Sequence, residues 1–177
     1  MSTRRYHLLN AILIILLVAG SVWAYPRLPE RIPVHFSLSG EPDRWEARSP
    51  ASWFLLPAIG IVMALVLHAM SVYGARRPEV WNLPEKQKFL ALHPPDQAPI
   101  IARMQEFMAR VGVAVTALFC VIQAGIYSAS AGGEEWLPLW VTAGIAAMVL
   151  SIGIGAVRLN GAVGRMVRDA HARAVAS

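Results

Sequence analysis

Four runs of apolar residues dominate this chain, and each is long enough to cross a lipid bilayer. They are Leu8 to Ala24, Trp53 to Tyr73, about Ala109 to Ser130, and Trp136 to Val157. A spanning helix needs about 20 apolar residues, within a range of roughly 17–25. Backbone N–H and C=O groups find no water in hydrocarbon, so runs of this kind must satisfy them internally as helices. Composition agrees. Hydrophobic residues make up 56% and charged residues 15%, whereas a soluble domain carries about 25% charged residues. An ordinary water-soluble domain and a disordered chain are both excluded. The ends of the runs carry Trp23, Tyr25, Trp53, Tyr73, Tyr127, Trp136 and Trp140, rings that favour the headgroup level.

The first run has a rival reading. A basic start, a short apolar core and Val22-Trp23-Ala24 fit a cleavable signal peptide. The bulk of Trp23 beside the cut and the length of the run favour a retained span.

Lysine and arginine set the expected orientation. With the N-terminus in the cytoplasm, the inner segments hold Arg4, Arg5, Arg76, Arg77, Lys86, Lys88, Arg103, Arg110, Arg158, Arg165, Arg168 and Arg173. The outer segments hold Arg27, Arg31, Arg44 and Arg48. The positive-inside rule therefore puts both termini in the cytoplasm. The net charge of +5 reads as attraction to anionic lipid rather than to nucleic acid. Cys120 is the one cysteine, so no intramolecular disulfide forms.

The outer loop from Tyr25 to Ser52 contains Pro26, Pro29, Pro33, Pro42 and Pro50, which argue against a helix. Alternation predicts a short extended segment, with Ile32, Val34, Phe36 and Leu38 on one face and Pro33, His35 and Ser37 on the other. Ser39 to Asp43 reads as a turn that folds Asp43 back toward His35 or an arginine. Ser49 or Ser52 is expected to cap the second span. In the inner loop, a short helix is expected over Glu85 to Leu92, and Asp96 is expected to cap a second that feeds the third span. Two readings stand for this segment: basic amphipathic helices in the headgroup plane, or a solvated connector. The tail after Val157 reads as a frayed basic helix on the inner leaflet.

Few patterns carry chemistry. There is no Gly-x-Ser-x-Gly, no His-Glu-x-x-His and no phosphate-cradling glycine loop. His35 with Glu41 and Asp43 is too sparse for a zinc site, which needs three or four ligands. Hydrogen bonding within the loop is the simpler role. Pro57, Gly60, Ala64, His68 and Ser71 share one small, polar helical face, and Gly112, Thr116, Cys120, Gln123 and Tyr127 share another. Such faces let helices approach closely and bond across the bundle. His68, Thr116 and Gln123 are the intramembrane polar candidates, with His68 expected close to Thr116. An ionisable group at such depth also suits a path for a proton or substrate.

The segment Leu28-Pro29-Glu30-Arg31-Ile32-Pro33-Val34-His35-Phe36, followed by Gly40-Glu41-Pro42-Asp43-Arg44-Trp45, resembles the bacterial membrane domain DUF1648. The resemblance covers about residues 8–75. The domain also occurs in proteins similar to the immunity protein against a sporulation-delaying toxin, which protects the producing cell and binds a repressor at the membrane. It thus implies a bacterial membrane location and an immunity or signalling role.

The resulting expectation is an all-α membrane protein with four transmembrane helices and a proline-rich extracytoplasmic loop between helices 1 and 2. Residues 1–75 form the DUF1648-like domain, 76–106 a cytoplasmic amphipathic connector, and 107–177 a transmembrane hairpin with a basic tail. Binding or sensing is expected through His35, Phe36, Glu41, Asp43, Arg44 and Trp45, with no catalytic residues, metal or cofactor. The expected partners are the lipid bilayer and a peptide or protein, with oligomers allowed. The rival is a small transporter or membrane enzyme subunit with a site near His68. The expected location is the cytoplasmic (inner) membrane of a bacterium.

Overall fold

The computed structural model describes residues 3–37, 39–132 and 136–176. The chain is mostly helical. Helix α1 spans Thr3–Ala24, and a 3-10 turn, Tyr25–Arg27, follows. Strands β1 (Arg31–Phe36) and β2 (Pro42–Ala47) form an antiparallel hairpin. Helix α2 is Pro50–Arg76, α3 is Lys86–Leu90, α4 is Pro94–Gly132 and α5 is Leu139–Ala176. All except the short α3 are long and apolar enough to cross a membrane. This is a multi-pass membrane protein. Helix α4 is the hub, packing on α1, α2 and α5.

The expectation of an all-α fold needs one correction: the loop between α1 and α2 is largely a two-stranded sheet. The expected turn ends early because Pro42 already belongs to β2. Asp43, Arg44 and Glu46 gave no alternating signal, and β2 exists because β1 offers it a partner. Leu38 lies outside the described residues, as do residues 133–135 of the connection between α4 and α5.

Helix α2 starts where its chemistry dictates. The Ser49 side chain accepts from the Ser52 N–H (3.1 Å), while Ser52 Oγ accepts from the Ser49 N–H (3.0 Å). This reciprocal cap satisfies two donors that the first turn leaves free. Pro50 sits in the first turn, where a missing N–H costs nothing. Deeper in the helix, Gly60 lets α4 approach: a Cβ there would meet the Phe119 ring at 2.7 Å.

The helices end unequally. Helix α4 has 39 residues and α5 has 38, so each is about 57–59 Å long, nearly twice a hydrocarbon core of about 30 Å. Both continue past their apolar runs at the end opposite the hairpin. Their extensions, with residues 81–92, enclose a core of Trp81, Leu83, Phe89, Leu92, Ile100, Met104, Val163, Val167 and Ala170. Phe89, Val163 and Val167 are fully buried. Residues 81–92 are therefore not a solvated connector but pack with the ends of α4 and α5 into a small helical head, and the tail is regular helix to Ala176 rather than frayed. Helix α4 runs unbroken through residues 106 and 107.

Burial drives this head together in a way it cannot drive the spans. In water each large side chain buried contributes about 1.5–3 kcal/mol. Between spans in lipid that force is missing, and close packing and hydrogen bonds remain. Polar links also clamp the head. Trp81 donates its indole N–H to the Gly74 carbonyl at 2.7 Å. Gln97 donates to the Phe89 and Leu92 carbonyls at the end of α3. Glu85, in left-handed backbone at φ 55°, pairs with Lys88 at 2.6 Å and Arg168 at 2.8 Å.

Candidate functional site at the hairpin end

The hairpin owes its shape to two offsets that cancel. Pro33 pairs with Trp45 and His35 with Arg44, so Val34 has no opposite residue. His35 pairs with Arg44 and Phe36 with Pro42, so Asp43 has none. Such bulges re-aim side chains. Here Asp43 Oδ1 lies 2.5 Å from His35 Nδ1, and both side chains are exposed. The contact that the sequence suggested, with the turn folding Asp43 onto His35, is present. One part of the alternation is not. Pro33 is buried with Ile32 rather than sharing the exposed face of His35, because the bulge at Val34 breaks strict period two.

The turn is fixed by its own backbone. Ser37 N–H donates to the Glu41 carbonyl at 2.8 Å, and Gly40 N–H to the Ser37 carbonyl at 2.9 Å. Gly40 has φ +88°, which favours a residue without Cβ. Its carbonyl accepts from the Leu137 N–H at 2.6 Å, tying the hairpin tip to the segment before α5. At the base, Ile32 is buried with Ala24, Leu28 and Trp53, and Arg48 donates to the Leu28 carbonyl at 2.5 Å.

These anchors fall on β1 and its flanks. Strand β2 packs on β1 and little else, and five of its six residues are exposed. Trp45 is 41% exposed. Arg44 and Glu46, 3.9 Å apart, face a groove of about 320 Å³ between the hairpin and α2. Its apolar wall is Ile32, Val34, Leu56 and Ile59. Phe36 is half-buried opposite Pro42, and Glu41 is exposed at the turn.

The groove ends at Gln123, and the reason that residue is there lies in α2. Pro57 has no N–H, so the carbonyl of Trp53, four residues earlier, lacks its helical donor. Gln123 of α4 supplies one: Nε2 donates to the Trp53 carbonyl at 3.3 Å. The Trp53 indole in turn donates to the Ser21 carbonyl of α1 at 2.9 Å. A proline gap in one span is thus closed by an amide from another, a repair that membrane helices rely on. Gln123 is 5% exposed, and its Oε1 is buried without a partner. Gln123 also lines a second cavity of about 240 Å³ with Leu17, Trp23, Trp53, Cys120 and Tyr127.

The other intramembrane candidates lie elsewhere. Thr116 is fully buried and donates to the Gly112 carbonyl of its own helix at 3.0 Å. His68 does not meet it. His68 is exposed at the edge of the small face, and its Nδ1 lies 3.2 Å from His7 Nδ1 of α1, the rings edge-to-face at 4.5 Å. The sequence reading missed His7 because it stands before the first apolar run, where a histidine reads as solvated. Among the described residues, no group of three or more His, Cys, Asp or Glu gathers as a metal site would require.

Residues 12–61 match the family model described as "Domain of unknown function (DUF1648)". The matched stretch takes in most of α1, the hairpin and the first part of α2. The chain is also similar to an uncharacterized protein of Archaeoglobus fulgidus, 36% identical over 81 residues. That similarity covers 43% of this chain and 43% of the archaeal protein, so the chain spans less than half the length of the relative it matches. No solved structure matches the chain.

Proposed function

We propose that this protein binds an extended peptide segment outside the cytoplasm, at the hairpin, and has no catalytic activity of its own. The observation that carries the reading is the asymmetry of the sheet: β1 is anchored to the bundle, and β2 is held by β1 and left exposed. An exposed strand edge is a template for a further strand, with main-chain bonds giving affinity and side-chain pockets giving specificity. The groove beside β2 offers an apolar wall and the Arg44–Glu46 pair for such pockets. The His35–Asp43 bond and the restricted prolines fix the surface before binding, which lowers the entropy cost of association.

In this reading the hairpin faces outward and the arginine-rich head faces the cytoplasm, as the positive-inside rule requires. The location is the cytoplasmic membrane of a bacterium, with both termini inside. The domain that the hairpin segment resembles also occurs in proteins similar to an immunity protein, which suggests the same direction: a toxin-like peptide is the partner, and the head relays its arrival. The rival reading, transport or an enzyme subunit near His68, draws less support. Its partner is a second histidine at the bundle's edge, and neither cavity near the hairpin includes it.

The test is complementation of a deletion strain by His35→Ala, Asp43→Ala and Trp45→Ala. The expected result is normal protein abundance with loss of whatever phenotype the deletion produces. Normal phenotype in all three variants, or abundance lost in step with phenotype in each, would mean that the hairpin is scaffold.

A further inference from the structure

At the other end of the bundle, α4 and α5 leave a groove of about 480 Å³, lined by Arg103, Glu106, Phe107, Arg110, Ile154 and Arg158, among others. Its register is set by Phe107, which lies against Gly155: a Cβ there would meet the ring at 3.2 Å. The helices run antiparallel. Arg110 is three residues from Phe107 on the bilayer side, and Arg158 is three residues from Gly155 on the head side. At 1.5 Å per residue the two arginines flank the contact about 9 Å apart along the axes. Arg103 lies four residues from Phe107 on the head side, about 6 Å away and near the level of Arg158.

Charge in the groove is not balanced. Arg103 pairs with Glu106 at 3.5 Å. Among the described residues, Arg110 and Arg158 make no ion pair and no side-chain hydrogen bond. Arg110 stands at the start of the apolar run of α4, and Arg158 directly follows that of α5. Both therefore stand at the border of the hydrocarbon. Arginines flank the contact on both sides, Arg110 toward the bilayer and Arg103 and Arg158 toward the head, and Phe107, Ile154 and Leu159 supply the apolar part of the lining. Basic pockets between spans bind anionic headgroups, and the apolar lining beside the arginines suits an acyl chain.

We propose that this groove is a binding site for one anionic glycerophospholipid. The phosphate bridges the guanidinium groups of Arg110 and Arg158, whose planar forks suit phosphate oxygens. Arg103 meets the far end of the headgroup, and an acyl chain runs along Ile154. The site does not depend on the peptide-binding reading or on which leaflet holds the head.

The full-length protein, purified in a zwitterionic detergent, is titrated with phosphatidylglycerol or phosphatidylcholine, and bound lipid is read by native mass spectrometry. The expected result is at least a tenfold preference for phosphatidylglycerol, retained in millimolar sodium phosphate. Arg110→Gln with Arg158→Gln abolishes it. Arg165→Gln with Arg173→Gln, an equal loss of charge outside the groove, leaves it intact. Ser151→Phe, which narrows the groove without changing charge, weakens it severalfold, and helix content by circular dichroism establishes folding. Equal losses in the two double variants would reduce the effect to general electrostatics and overturn the site. Displacement by free phosphate would overturn the lipid as its ligand.

Discussion

Replacing Gln123 with leucine removes the donor that serves the Trp53 carbonyl, and the cost depends on Pro57. With proline at 57, that carbonyl has no helical N–H to return to. Interhelical hydrogen bonds in membranes average about 0.6 kcal/mol and reach about 1.7. An orphaned buried carbonyl costs about 1–3 kcal/mol. The substitution also removes the unpaired Oε1 of Gln123, which offsets part of this, so Gln123→Leu should cost about 0.5–1.5 kcal/mol. In a Pro57→Ala background the helix regains its own donor, and Gln123→Leu should be neutral or slightly stabilising. The coupling should therefore be about 0.6 kcal/mol or more, above the 0.3–0.5 kcal/mol scatter of independent sites. SDS titration in mixed micelles, followed by circular dichroism, measures all four proteins. An equal cost of Gln123→Leu in both backgrounds would refute the repair.

Phe89→Ala should cost about 3–5 kcal/mol in the head, read as faster proteolysis between residues 78 and 93 while the spans persist. Gly60→Val should destabilise the α2–α4 contact, because its side chain meets Phe119; a lower midpoint in the same SDS titration checks this. Glu85 gives a pH signature. Hydrogen bonds from Lys88 and then Arg168 hold its carboxyl below the usual 4.5. Its stabilisation is thus complete above that value and lost as pH falls through the lowered one. Thermal midpoints at pH 7 and pH 3 should differ more in the native protein than in Glu85→Gln, and parallel losses would contradict the assignment.

The spans could be read from the sequence because twenty apolar residues leave the backbone one solution. The His35–Asp43 contact was also legible, since alternation placed His35 outward and the turn at Gly40 folded the chain back. Strand β2 was not, because its residues carry no period and its pairing comes from β1. The head was hidden for a related reason. Trp81, Leu83, Phe89 and Leu92 are scattered among polar residues, and only the overrun of α4 and α5 gives them a common core. Pro57 and Gln123 were each visible as members of helical faces. Their link requires the relative depth of two helices, which no local pattern encodes. Position along the chain likewise misled for His68, whose partner lies 61 residues away.

Under the proposed function, the hairpin is a preformed surface exposed outside the cell membrane. Single cysteines at the exposed positions Ser39 and Gln87, each in a Cys120→Ser background, test it in intact cells with a membrane-impermeant thiol reagent. Ser39→Cys is expected to be labelled at once, and Gln87→Cys only after lysis. Labelling of Gln87→Cys in intact cells, with Ser39→Cys protected, would put the hairpin in the cytoplasm and rule out peptide binding outside it.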